Sequence, residues 1–236
     1  TFPVGLSADS AMYEIPFGAV SRTGYADRCY ARANQWPAQN WVAMSGNDST
    51  FAVLTPGIGG VGIYPEELQI PLLRSISPKH DDRKDMMSHD CGTGALAQGG
   101  HEFELWLLYQ AGEWRDLDLA RRGREIVCPP VMYEGRRAAN GSNQSSCGFR
   151  IGPGNIVCTA IKPAENGCGT VCRLYESTGV RTKARFSLEK AFTTVEYAEC
   201  DLMECKRDRV HQLTDAAEFE LDFAPFEIKT VWVHIQ

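Results

Sequence analysis

Apolar, β-branched and aromatic residues gather along this chain in short stretches, at 39–44, 51–55, 68–74, 102–109, 155–161, 171–176, 180–188 and 226–235. Gly, Pro, Asn or Asp punctuates many of them, as turns require. Stretches of this length and make-up predict strands, and their number predicts an antiparallel all-β protein. In the last stretch Phe226, Ile228, Thr230 and Trp232 alternate with Glu227 and Lys229, the period of a half-buried strand. Val231, Val233 and Ile235 make its second face apolar too, so the far end is expected to be covered on both sides. Only 112–124 offers a helical period, with Trp114, Leu117 and Ala120 three apart, and predicts a short helix beside a sheet. The stretch 133–155, crowded with Gly, Asn, Ser and Arg, predicts a loop or linker and divides the chain into 1–145 and 146–236.

Composition narrows the classes. A chain of 236 residues, 43% hydrophobic, buries a substantial core and has room for one or two domains. Its net charge of −6, with both signs interspersed, argues against a nucleic-acid footprint, which needs a strongly basic face. Arg121-Arg122-Gly123-Arg124 and Arg136-Arg137 are the only basic clusters and read as solvated loop or strand edge. No apolar run approaches the roughly 20 residues of a membrane span, and Thr1-Phe2-Pro3-Val4 has neither the charged leader nor the apolar core of a signal peptide. Nine cysteines cannot all pair within one chain, which favours reduced thiols and a cytoplasmic setting over a lysosomal or secreted one. Against that stand three glycosylation triplets, beginning at Asn47, Asn140 and Asn143.

Several motifs in fixed order carry a resemblance. They are Ile15-Pro16-Phe17-Gly18 with Arg22, Trp36-Pro37-Ala38-Gln39-Asn40-Trp41-Val42, Leu68 to Ser75, Gly100-His101-Glu102-Phe103 and Ala111-Gly112-Glu113-Trp114. Arg173-Leu174-Tyr175-Glu176 and Pro225-Phe226-Glu227-Ile228-Lys229-Thr230 complete the set. Together they resemble the carboxyl-terminal β region of glycoside hydrolase family 38, the metal-dependent retaining α-mannosidases. Two positions depart from the family pattern. Pro56 to Gly60 stands where members usually have an Asn-led turn, and Gly112-Glu113-Trp114 replaces Gly-Asp-Trp.

The resemblance implies a fold and a division of labour. Residues 1–145 would form part of a large antiparallel β-sandwich of the supersandwich type, and 146–236 a small terminal β-sandwich. It also implies a start part-way through the larger sandwich, with an unpaired sheet edge and an uncovered apolar face for a companion polypeptide or a second copy. The zinc ion and the carboxylate pair of the reaction are implied in an amino-terminal catalytic domain, so no catalytic or metal-binding residue is assigned in this chain. The implied role is a scaffold for hydrolysis of terminal α-mannosides. A stand-alone carbohydrate-binding module and a purely structural assembly module are the alternatives.

His80-Asp81-Asp82 and His89-Asp90-Cys91 hold zinc-ligand types, but adjacent residues seldom converge on one ion, and a solvated loop is expected. Cys168, Cys172, Cys200 and Cys205 have spacings looser than the usual paired ligands of a structural metal. His101, opening a strand, is expected to be a turn residue bonding backbone groups rather than an acid–base group. Most tryptophans are expected in the core, with Trp114, among Glu113, Arg115 and Asp116, as the exposed exception facing a substrate rim.

Overall fold

A computed structural model describes residues 1–6, 8–24, 35–56, 59–64, 66–73, 98–132, 149–188, 194–205, 209–214 and 218–235. In chain order the first nine strands are β1 (Phe2–Pro3), β2 (Ser10–Ile15), β3 (Gly18–Thr23), β4 (Gln35–Trp36), β5 (Trp41–Gly46), β6 (Ser49–Leu54), β7 (Val61–Tyr64), β8 (Glu67–Gln69) and β9 (Trp106–Ala111). They make two antiparallel sheets, β1-β8-β7-β4 and β3-β2-β5-β6-β9. Tyr13, Val42, Met44 and Val53 meet Val61, Ile63 and Leu68 between the sheets. The Tyr13 hydroxyl, buried among them, donates to the Val61 carbonyl at 3.0 Å.

β5 explains the next layer. Trp41, Val42, Ala43 and Met44 are all buried, as in a strand covered on both faces. Val42 and Met44 enter the inter-sheet core, while Trp41 and Ala43 join Trp114, Leu117 and Leu119 on the opposite face. A 3₁₀ turn (Trp114–Leu117) and helix α1 (Leu119–Val127) supply that cover. The predicted short helix beside a sheet is therefore present, but it is broken at Asp118, whose φ of +49° ends the first turn and starts the second.

The second set is β10 (Phe149–Gly152), β11 (Ile156–Pro163), β12 (Thr170–Glu176), β13 (Thr182–Leu188), β14 (Thr194–Cys200), β15 (His211–Thr214), β16 (Glu218–Phe223) and β17 (Ile228–Ile235). They form the sheets β10-β13-β16 and β11-β12-β17-β14-β15. Cys172, Leu174, Val231 and Val233 pack against Phe186, Phe219 and Phe223 between them. The Phe186 and Phe219 rings stack at 4.5 Å and Tyr197 and Phe219 at 4.2 Å. β17 is covered on both sides as its pattern predicts, with Val231 and Val233 in this core and Trp232 in a cluster on the outer face.

The all-β prediction holds, and individual strands correct it. Strand 102–109 begins only at Trp106, strand 68–74 is paired only to Gln69, and β10 lies inside the stretch predicted as loop. The division at 145/146 falls outside the described residues, as do Arg136-Arg137, Asn140, Asn143 and the His80–Cys91 segment. β16 escapes a reading based on apolar runs because Glu218, Glu220 and Asp222 occupy one of its faces, and β2 and β14 because single glutamates interrupt them.

Candidate functional site at the junction of the two sandwiches

Two turns of the same make-up face each other where the sandwiches meet. Pro16-Phe17 joins β2 to β3, Pro225-Phe226 precedes β17, and the phenylalanines have φ of +60° and +57°. Proline followed by a positive φ is the arrangement of a type II turn, in which glycine or asparagine is usual at the second position. Phenylalanine there persists only where its surroundings hold it. The Phe17 ring packs edge-on against Tyr175 of β12 at 5.7 Å. Phe226 lies between the two halves: a Cβ built on Gly18 would meet its ring at 3.4 Å, and one on Gly179 at 2.7 Å. Gly179, with φ of +77°, therefore has no room for a side chain.

Glu176, at the end of β12, organises this side of the junction. Its Oε1 accepts from Asn155 Nδ2 (2.9 Å), Thr178 N (2.8 Å) and Thr178 Oγ1 (2.5 Å). Its Oε2 accepts from the backbone N–H groups of Gly179 (2.7 Å), Val180 (3.1 Å) and Phe226 (3.0 Å). Burial pushes the carboxyl upward, but the bonds from Phe226, Thr178 and Asn155 outweigh it and hold the group below the usual carboxylate range. With six donors on two oxygens, no lone pair is left for a substrate. The Glu of the Arg-Leu-Tyr-Glu motif is thus a structural anion.

Glu14 on β2 is the other buried carboxyl. Its Oε2 accepts the Asn40 backbone N–H at 2.7 Å. Burial raises it to about 7, against the hydrogen bonds from Asn40 and the nearby Arg124 guanidinium. Burial and then the Glu14 charge also push the Tyr175 phenol upward. A carboxyl poised near neutrality is what a general acid needs, but Glu14 is 3% exposed, so substrate has no access to it. Arg124 reaches across to the Thr159 carbonyl (2.9 Å) and Arg115 to the Thr178 carbonyl (3.0 Å), so both tie the first half to the second. Arg124 is not the solvated cluster residue its sequence context predicts.

The remaining sequence candidates are scattered. Trp114 is 6% exposed and stacks on Trp41 at 5.7 Å, whereas Trp106 on edge strand β9 is 36% exposed. Trp114 is therefore not the exposed aromatic that its polar neighbours predict. Those neighbours are occupied in closing the 3₁₀ turn, where Asp116 accepts the Glu113 N–H at 3.0 Å. One edge of Trp114 does line a cleft of about 410 Å³ at the outer end of the β3-β2-β5-β6 face. Cys172 lies in the inter-sheet core and Cys200 in the outer-face cluster, on opposite sides of one sheet, so the four thiols do not converge. Among the described residues no group of three or more His, Cys, Asp or Glu is placed to hold a metal, and those residues do not fit a zinc site. His101 stacks on Phe103 at 6.1 Å. The sequence pattern does not mark Glu14, the reach of Arg124 to the second half, or the pairing of the two turns. The repeated Pro-Phe dipeptide was the available signal.

Fold and junction define a class: a two-sandwich β region whose buried carboxylates serve its own architecture. Residues 1–84 match the glycosyl hydrolases family 38 C-terminal domain, and 155–231 match the glycosyl hydrolases family 38 C-terminal beta sandwich domain. The mouse protein named alpha-mannosidase 2C1 is 25% identical over 241 residues, covering 100% of this chain and 21% of that protein. Alpha-mannosidase G of Dictyostelium discoideum is 26% identical, covering 95% of this chain and 20% of its own length. The crystal structure of an alpha-mannosidase from Enterococcus faecalis V583 superposes with a TM-score of 0.69 at 18% identity, over 99% of this chain and 25% of that one. The chain belongs to glycoside hydrolase family 38, as a carboxyl-terminal β region. It spans about a fifth of the length of these curated relatives.

Proposed function

We propose that this chain is the non-catalytic scaffold of a retaining, zinc-dependent α-mannosidase that hydrolyses terminal α-mannosides. The observation that carries the reading is the fate of the family-like motifs. Ile15 to Gly18, Arg173 to Glu176 and Pro225 to Thr230 are among the motifs that carry the family resemblance, and they gather at or beside the sandwich junction, where each is used to hold shape. Retaining glycosidases need two carboxyl groups about 5 to 5.5 Å apart and open to substrate. Glu176 is saturated and Glu14 is sealed, so neither is available. In this reading the carboxylate pair and the zinc ion would belong to an amino-terminal catalytic domain, against which this region would form a buttress and one wall of the substrate site, with Trp114 towards its rim.

Cleavage of a chromogenic α-mannoside in the presence of zinc tests this, using the chain alone and the chain mixed with an amino-terminal catalytic polypeptide of the family. Turnover is expected only in the mixture. Turnover by the isolated chain would overturn the scaffold reading.

A further inference from the structure

The uncovered end of the β3-β2-β5-β6 face has a chemistry the scaffold role does not use. Along the outer face the sheet changes character in lateral rows. Met12 is flanked in register by Ser21 and Ala43, giving a strip with an apolar centre. One step further along the strands Ser45 pairs with Thr50, and Thr50 with Gln110, giving a polar row. The 3₁₀ turn covers the apolar side and leaves a cleft of about 410 Å³, walled by Trp114 and edged by Asp48 and Glu113.

The hydrogen-bonding sense of the Ser45–Thr50 pair in this cleft is fixed, while the Asn47 amide and the Ser10, Ser21 and Ser49 hydroxyls that also line it can donate. Thr50 Oγ1 donates its only proton to the Gly112 carbonyl at 2.7 Å. The 2.8 Å contact between Ser45 and Thr50 must therefore use the Ser45 proton, which leaves Ser45 Oγ with acceptor capacity alone. Asp48 and Glu113 add acceptors at the rim. Among the described residues no Lys, Arg or His lines the cleft, and neighbouring Arg115 is engaged by Glu113 at 3.3 Å and by the Thr178 carbonyl. Anionic ligands therefore meet carboxylates and no counter-charge. A ligand that suits the cleft carries no negative charge, brings hydroxyls that donate to its carboxylates and Ser45, and has an apolar face for Met12, Ala43 and the edge of Trp114. We propose that this cleft is a binding site for a neutral saccharide, one pyranose ring lying with its C–H face on the Met12–Ala43 strip and its hydroxyls donating to Ser45, Asp48 and Glu113.

The choice of mannosides as first probes rests on the function proposed above; the acceptor-rich cleft does not. Titration of the 236-residue chain with methyl α-mannoside and α-mannobiose, followed by calorimetry and by NMR, is expected to show saturable binding in the range of about 1–10 mM, typical of a small, shallow site. The double variant Asp48→Asn, Glu113→Gln is expected to weaken it at least about tenfold, and Ser21→Trp, which fills the cleft from exposed β3, to abolish it, both with an unchanged melting temperature. No saturation by any neutral saccharide up to about 100 mM would overturn the site. So would equal affinity for glycerol, tighter binding of glucosamine than of neutral sugars, or affinities unmoved by the variants. If Ser21→Trp fails to fold, the carboxylate variant decides alone. Failure here leaves activity in the mixed chains untouched, whereas failure of the scaffold reading appears as turnover by the isolated chain.

Discussion

Glu14 and Glu176 are both buried, both carboxyls and both at one junction, yet their surroundings act on them in opposite senses. Glu176 is ringed by six donors from three segments and is held ionised. Glu14 has bonds from Asn40 and Trp41 and an arginine nearby, which do not offset its burial, and it sits near neutrality. Burial makes a charge costly and hydrogen bonds to the charged form make it tolerable, so the number of donors decides the sign. The first sandwich thus meets the second through a carboxyl that prefers its proton. The second sandwich builds its side of the contact around an anion.

Removing the anion should have the largest effect. Glu176→Ala leaves the backbone N–H groups of Thr178, Gly179, Val180 and Phe226 without their acceptor, the first of them buried and the others partly so. Buried donors left unpaired cost about 1–3 kcal/mol each in isolation, and loss of a buried charged hub about 3–5 kcal/mol in total. The expected outcome is a loss of that size in urea unfolding at pH 7, with Glu176→Gln retaining only part of the stability, because its amide presents protons to donors. A Glu176→Ala chain as stable as wild type would erase the contrast between the two carboxyls.

Glu14 sharpens the comparison through pH. Its folded value of about 7 lies above the ordinary 4.5. Below about 4.5 both folded and unfolded chains hold the proton and the group costs nothing. Between these values the folded chain keeps a proton that the unfolded chain releases, so stability falls as pH rises, and above about 7 the full cost is present. At about 1.4 kcal/mol per unit this is at most about 3 kcal/mol at pH 8. Glu176 works in the other direction, its contribution present above the ordinary carboxylate range and lost as pH falls through its lowered value. Glu14→Gln, which keeps the shape and removes the titration, is expected to be more stable than wild type at pH 8 and equal to it at pH 4. Unfolding free energies at the two pH values check this, and parallel pH profiles for the two chains would refute it.

The contrast also marks what could be read in advance. Apolar residues at successive positions, as at Val231, Trp232 and Val233, announce a strand buried on both faces, because a single strand's own pattern carries that information. The Glu176 hub could be recognised only as a motif letter, since its six donors come from residues 155, 178–180 and 226, which the fold alone brings together. Trp114 was misread for a related reason. Its charged neighbours are visible in sequence, whereas the Trp41 ring that covers it belongs to another strand. Arg121 to Arg124 show the same limit within one helix: Arg121 pairs with Glu125 in solvent, and Arg124, three residues on, crosses to Thr159.

Arginines give the smallest and most discriminating test of whether the junction, rather than charge in general, holds the halves together. Arg115 donates to the Thr178 carbonyl, the residue whose N–H and hydroxyl serve Glu176, and lies over the Trp114 ring at 4.7 Å. Arg115→Ala removes both contacts and leaves that carbonyl to find water, for an expected cost of about 1–2 kcal/mol. The Arg121–Glu125 pair at 3.2 Å, with side chains 61% and 65% exposed, is a surface pair four residues apart on a helix, and Arg121→Ala is expected to change stability by less than about 0.5 kcal/mol. Both variants remove one positive charge from a chain of net charge −6, so any effect of overall charge is common to the two and cancels in their difference. A larger loss for Arg115→Ala, undiminished in high salt, is what contacts across the junction require, because partly buried hydrogen bonds are screened much less than surface charges. Equal losses, both vanishing in salt, would mean that the junction is held by apolar packing around Phe17, Tyr175 and Phe226, with its polar links adding nothing.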